Sequence, residues 1–209
     1  MKNRKRHSQK AFKDALCLLL EKKPLDKIFV KEILEAADYS SMAFYSSYED
    51  KYDLAQKIIE EEAKLHIDTL FDIISLEITN HSFDQSKVFE RSSNSFFTHV
   101  KENNKIYKCI FNNLLMPDAM EYFAQYSSII IKDHFDFKNQ NNDALKSYYN
   151  FFIKQSISML LYAAKYWMSN NYNIPADDFS KLYSRYKSGW TASVLSINNQ
   201  NKIEVSIQL

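Results

Sequence analysis

The stretch VKEILEAADYSSMAFYSSYEDKYDL, Val30 to Leu54, decides the fold. Val30, Ile33, Leu34 and Ala37 mark one face of a short helix. Asp38 and Tyr39 interrupt it, and Asp is among the few residues besides Gly that accept a turn conformation cheaply. Ser40 and Ser41 are of the type that caps a new helix, and that helix has room only to be short. Asp50 caps again, with Asp53 at the third helical position in the manner of a capping box. A long helix then runs past Leu54, Ile58 and Ile59 toward His66.

Upstream, Phe12, Ala15, Leu16, Leu19 and Leu20 recur at i, i+3, i+4, i+7, i+8 and predict a helix from about Ser8 to Lys23. Pro24 ends it, because the residue before a proline disfavours the helical conformation. Two short helices joined by a three-residue turn and braced by a first helix make a helix-turn-helix. In that motif the second helix enters the DNA major groove with its N-terminal residues at base edges. Ser40, Ser41, Met42, Ala43 and Ser46 would form the groove-facing surface, and Tyr45 can offer its hydroxyl to phosphate. Lys51 adds a cation at a positive helix end. Phe44 reads as core.

Composition agrees with helices. Only one Gly and three Pro occur among 209 residues, where average usage is roughly 12% for the two together. Sheets and their tight turns consume Gly, and helix interiors exclude both residues. The chain is therefore expected to be all-α. Residues 1–13 hold six cations (Lys2, Arg4, Lys5, Arg6, Lys10, Lys13) and no acid, leaving 27 − 6 = 21 cations against 26 acids beyond. A basic arm on a mildly acidic body suits a polyanion held near the N-terminus. Cys17 and Cys109 lack metal-type spacing and read as two free thiols of a reducing compartment. With no signal-peptide pattern and no long apolar run, a cytoplasmic protein without a membrane span is expected.

Downstream, helical patterns fall at about 67–79, 86–102 and 104–115. Pro117 suits the first turn of another helix, a long one follows over about 144–171, and Pro175 opens the last, with Gly189 as its C-terminal cap. Beyond Trp190, Val205 and Ile207 alternate with polar residues around "NNQN", which fits either a short hairpin or a frayed end. Both readings leave the tail dispensable.

The spaced set Val30, Ile33, Ala37, Ser40, Phe44, Tyr45, Tyr48, Lys51 and Leu54 resembles the DNA-binding motif of the TetR/AcrR family of bacterial regulators. Asp38 stands where that family usually has Gly, Tyr48 where it has Phe, and Phe29 where a Thr usually opens the second helix. Residues 97–113 and 151–186 resemble, more loosely, an AcrR-like branch that includes relatives of a dihydroxyacetone-kinase regulator. That match lies in Phe96, Tyr107, Phe152, Trp167 and the break before Pro175, with Ser158 where Gly is frequent. The resemblance implies a DNA-binding domain at 1–50, a helical-bundle ligand-binding and dimerisation domain at 51–189, and a tail at 190–209. It implies a repressor that binds an inverted-repeat operator in double-stranded DNA as a homodimer formed through its last two long helices. A small-molecule effector in the second domain would change DNA affinity.

The candidate DNA contacts are Arg4, Lys5, Arg6, Lys31, Ser40, Ser41, Met42, Ala43, Tyr45, Ser46 and Lys51. The candidate effector pocket is Phe96, Tyr107, Phe111, Met120, Phe123, Phe152 and Met159, residues that are equally at home in an ordinary helical core. The scattered histidines have no ligand spacing, so neither metal nor cofactor is expected. With no paired catalytic groups and no glycine-rich phosphate loop, an enzyme is not expected either. The groove surface is poor in Arg, Asn and Gln, which usually discriminate bases. That leaves an alternative, a helix-turn-helix-fold interaction protein or coactivator working through a protein partner.

Overall fold

A computed structural model describes residues 2–79, 84–134 and 143–187. Among the described residues the regular structure is helical throughout: α1 Lys2–Leu20, α2 Val30–Ala37, α3 Ser41–Tyr45, α4 Lys51–Thr79, α5 Gln85–Glu102, α6 Asn104–Phe111, α7 Ala119–His134 and α8 Asp143–Ser169. A last helix, α9, covers 176–187, and a single 3₁₀ turn (Leu25–Lys27) precedes α2. The protein is all-α, as its Gly and Pro content requires. Gly189 and the tail 190–209 lie outside the described residues.

The chain forms two compact units, one of residues 1–62 with 103–123, the other of 63–102 with 124–209. In the first, α1 packs on α2, α3 and α6. Phe12, Leu16, Ile28, Ile33, Phe44 and Leu54 are fully buried there. The tyrosines of the opening stretch divide by direction. Tyr39 and Tyr48 set their rings edge-on to Phe12 at 5.5 and 6.2 Å, and Phe12 meets Phe44 at 5.2 Å. Such edge-to-face pairs add about 0.5–1.5 kcal/mol beyond burial. Tyr45 and Tyr52 point outward. Cys17 and Cys109, remote in sequence, are free, buried and adjacent, with the Cys109 sulfur 3.9 Å from the Cys17 carbonyl oxygen.

In the second unit α5 packs on α8. Trp167 stacks on Phe179 at 5.5 Å and donates its indole N–H to the Ile174 carbonyl at 2.8 Å. Phe97 packs against Trp167, Phe179 and Tyr183. Asn171 and Tyr172 take left-handed conformations that turn the chain toward Pro175, whose carbonyl accepts the first bond of α9.

Four sequence expectations need correction. The expected boundary near His66 does not exist, because Ala63, Ile67 and Ile73 continue the buried stripe and α4 runs unbroken to Thr79. The helix expected to reach 115 stops at Phe111. There Asn113 adopts φ 55° and the Leu114 N–H returns to the Cys109 carbonyl, an asparagine C-cap. Pro117 opens no helix. It lies in a turn, Asp118 is left-handed, and α7 begins at Ala119, whose N–H is capped by the Asn113 side chain at 3.1 Å. The basic N-terminal stretch, read as an arm, is the first half of α1. Lys and Arg are good helix formers, and an amphipathic helix already under way can extend through them.

Candidate nucleic-acid interface and a cavity in the second unit

The turn between α2 and α3 is closed by Asp38 at φ 56°, ψ 46°, the left-handed conformation usually reserved for Gly. The Tyr39 N–H returns to the Leu34 carbonyl and ends α2. Ser40 then caps α3 by accepting the Ala43 N–H at 3.3 Å, and the Ser46 hydroxyl donates to the Ala43 carbonyl at 2.8 Å. With Phe44 anchored in the aromatic cluster, the opposite side of α3 faces outward. Ser40, Ser41, Met42, Tyr45 and Ser46 are exposed and Ala43 is half-buried. Met42 is 81% exposed, and Phe29, at the start of α2, 70%. The groove-facing set is thus brought onto one outer face.

The cations are placed less uniformly. Arg6 is exposed on α1, where Arg4 and Lys5 occupy the first turns of the backbone. Lys31 is exposed and 3.7 Å from Glu35. Lys51 is the first residue of α4, but its ammonium donates to the carbonyls of Asp26 at 2.9 Å and Ile28 at 2.7 Å. It therefore fastens the start of α4 to the turn before α2, a role not legible in the motif. The Asp50 carboxylate caps α4 by accepting the N–H groups of Tyr52 and Asp53, both at 2.8 Å. The Asp53 carboxylate accepts the Glu49 N–H instead of that of the cap residue. Lys23 grips Glu32 through both carboxylate oxygens at 2.7 Å, and with the Phe29 N–H it holds that carboxyl below its ordinary range. Residues 24–53 carry three lysines and seven acids, a net of 3 − 7 = −4.

The seven candidate pocket residues divide between the two units. Tyr107, Phe111, Met120 and Phe123 belong to the first unit, whereas Phe96, Phe152 and Met159 belong to the second. Tyr107, Phe111 and Phe123 are fully packed, and Phe96 lines a shallow hollow with His66 and His99. Phe152 lines a larger cavity of about 190 Å³ within the second unit. Its walls include Ile67 and Leu70 of α4, Ile131 of α7 and Ile157 and Leu160 of α8, with His66, Ser92, Ser93, Ser156, Tyr183 and Lys187 as polar members. Burial pushes Lys187 down to about 8. Burial first, then Lys187 and His99, pushes His66 down to about 3, so its ring is neutral. Sequence reasoning overlooked these polar residues because it sought apolar and aromatic ones. The one available signal was the i, i+4 spacing of Tyr183 and Lys187.

Among the described residues no group of three or more His, Cys, Asp or Glu is arranged to hold a metal ion, and no helix is long and apolar enough to cross a membrane. No protein-family model and no curated protein matches the chain. A solved structure with a similar course is the TetR family repressor AlkX from Dietzia sp. strain DQ12-45-1b, implicated in biodegradation of n-alkanes. The two share 14% identity over 85% of this chain and 94% of that one, with a TM-score of 0.45. At those values the likeness adds nothing to what the helices themselves show.

Proposed function

We propose that this chain is a cytoplasmic, sequence-specific DNA-binding regulator of the TetR type, a repressor acting as a homodimer. The observation that carries the reading is the α2–Asp38–α3 unit: a tight left-handed turn, a serine-capped second helix, and an outer face of small polar residues with Tyr45 beside them. Residues 1–50 would be the DNA-binding domain and 51–189 the regulatory one. Arg4, Lys5, Arg6, Lys31, Tyr45 and Lys51 serve phosphates, while Ser40, Ser41, Met42, Ala43 and Ser46 face the groove. Dimerisation through α8 and α9 is supported by apolar residues left outward at helical spacing, Tyr162 (64% exposed) and Tyr166 (68%) on α8, Leu182 and Tyr186 on α9. An effector in the second unit would touch His66, Ile67 and Leu70 of α4, the same helix whose first turns carry Lys51. It can shift the protein only by binding one arrangement better than another.

The net charge of −4 over residues 24–53, with Met42 and Phe29 bare, favours a second reading, an interaction protein that works through a basic partner. Selecting genomic fragments with the purified protein, then footprinting them, separates the two. The regulator reading expects an inverted repeat with half-site centres about 10 bp apart, or a multiple of that. A single asymmetric half-site held by a monomer, or no duplex selected at low salt, would sink it.

A further inference from the structure

We propose that Cys17 and Cys109 form a peroxide-sensing dithiol, which closes to an intramolecular disulfide that locks α1 to α6. The modification site stands on the first unit alone; its effect on DNA affinity rests on the regulator reading above.

The two residues are 92 positions apart and are brought together by the packing of α1 on α6. Both are free, each is 1% exposed, and the Cys109 sulfur lies 3.9 Å from the Cys17 carbonyl oxygen. The thiols also hydrogen-bond to each other. That bond, given by Cys17, holds the Cys109 thiol below its ordinary value against burial and Glu21, and Lys108 adds to the effect. The same bond and burial push Cys17 up, and the carboxylates of Asp14 and Glu62 oppose a charge there. The two thiols therefore differ: Cys109 is the nucleophile and Cys17 the resolving partner. An exposed ion pair, Lys108 to Glu21 at 3.3 Å, crosses the same α1–α6 seam beside them.

The chemistry balances with hydrogen peroxide as the oxidant. The Cys109 thiolate attacks one peroxide oxygen, so the S–O bond forms and the O–O bond breaks. The departing oxygen takes the proton that Cys109 gave up and leaves as water. Cys109 is now a sulfenic acid, oxidised by two electrons. Cys17 attacks that sulfur; the S–S bond forms, the S–O bond breaks, and hydroxide leaves with the Cys17 proton as a second water. Burial excludes an oxidant the size of glutathione disulfide and leaves the sulfenic acid one thiol within reach. An S–S bond of about 2 Å is shorter than any contact between unbonded sulfurs, so closing it draws α1 and α6 together. Because α1 also packs on α2 and α3, with Phe12 against Phe44 and Tyr48, the pull reaches the helices of the proposed DNA face. In a reducing compartment such a bond is transient, a sensor and not a staple.

The full chain, reduced and then treated with hydrogen peroxide, should lose two hydrogens by mass and yield a Cys17–Cys109 peptide cross-link that dithiothreitol reverses. Closing a loop across 92 positions should raise the thermal midpoint by about 5–15 °C. Duplex affinity should change by about fivefold or more between the two states, the lower end of ordinary allosteric coupling. Dimedone should trap a sulfenic acid on Cys109 in Cys17→Ala and give no adduct on Cys17 in Cys109→Ala. The wild-type mass decides the site even where a variant fails to fold: thiols that stay reduced in peroxide, or that bond only between copies of the chain, would overturn the proposal. A dimedone adduct on Cys17 would overturn the assigned roles, and cross-linking by oxidised glutathione but not by peroxide would overturn the oxidant. A disulfide that forms while duplex affinity stays the same upholds the site and defeats the switch. A disulfide in a chain that binds no duplex in either state upholds the site and defeats the regulator reading alone.

Discussion

Replacing Lys51 by Met separates two roles that the sequence motif merges. The ammonium spans two backbone carbonyls at 2.9 and 2.7 Å, those of Asp26 and Ile28, and stands 5.0 Å from the centre of the Tyr52 ring. Charge-assisted hydrogen bonds are worth about 1.5–3 kcal/mol when buried. Lys51 is only half-buried and water can replace it at either carbonyl, so about 1–2 kcal/mol for the pair is the reasoned loss. With a urea m-value of about 2 kcal/mol/M, the midpoint should fall by about 0.5–1 M, followed by far-ultraviolet circular dichroism. Neutral carbonyls do not cancel the ammonium charge, so a phosphate can still be drawn to it. Losing the charge should flatten the slope of log K against log salt by about 0.9 per subunit, with affinity for all duplexes reduced alike. An unchanged urea midpoint would refute the clamp. A lowered midpoint with an unchanged salt slope would refute the phosphate role and leave Lys51 purely structural.

Asp38→Gly should raise the melting temperature slightly, by the equivalent of about 0.5–1 kcal/mol, since Gly reaches φ 56° without strain. Asp38→Val should lower it by more than that, and the opposite order in a melting series would show that the turn is not left-handed. His66 is neutral in the fold while an unfolded histidine takes a proton near 6.5, so it contributes no penalty above that pH. As pH falls from 6.5 toward 3 the unfolded state binds the extra proton and stability declines. His66→Phe should flatten that decline between pH 7 and 5 in urea titrations, and an identical slope would place the ring in water. Tyr162→Glu with Tyr166→Glu, both on the outer face of α8, should convert a dimer to a monomer in sizing chromatography without loss of helix. A dimer that survives both charges would move the interface elsewhere.

Much of this protein was legible before any tertiary structure, for local reasons. Gly and Pro scarcity predicts helices because both residues act on their own backbone. The α2–α3 turn was readable because Asp38, Ser40 and Asp50 hydrogen-bond or bend within a few residues of themselves. Where the determinant was another part of the chain, sequence reading failed. Nothing local distinguishes Tyr39 and Tyr48 from Tyr45 and Tyr52; Phe44 meets Tyr45 and Tyr48 alike, at 5.3 and 5.4 Å, and it is the ring of Phe12, against Tyr39 and Tyr48, that marks those turned inward. The length of α4 followed from a buried stripe that continues past His66, not from any cap. Lys51 reads as a phosphate ligand from its helix-end neighbours, and the carbonyls it also clamps, 23 and 25 positions earlier, are what the motif does not show. The cavity is the clearest case. Candidate pocket residues were chosen by apolar character, a property that packed cores share, so they scattered through two units. The polar residues that line the cavity are brought together from α4, α5, α8 and α9, Ser93 and Tyr183 among them from about 90 positions apart. Helical periodicity assigns each of these residues a face, but the burial of Tyr183 and Lys187 depends on what packs against that face, and only the tertiary structure supplies it.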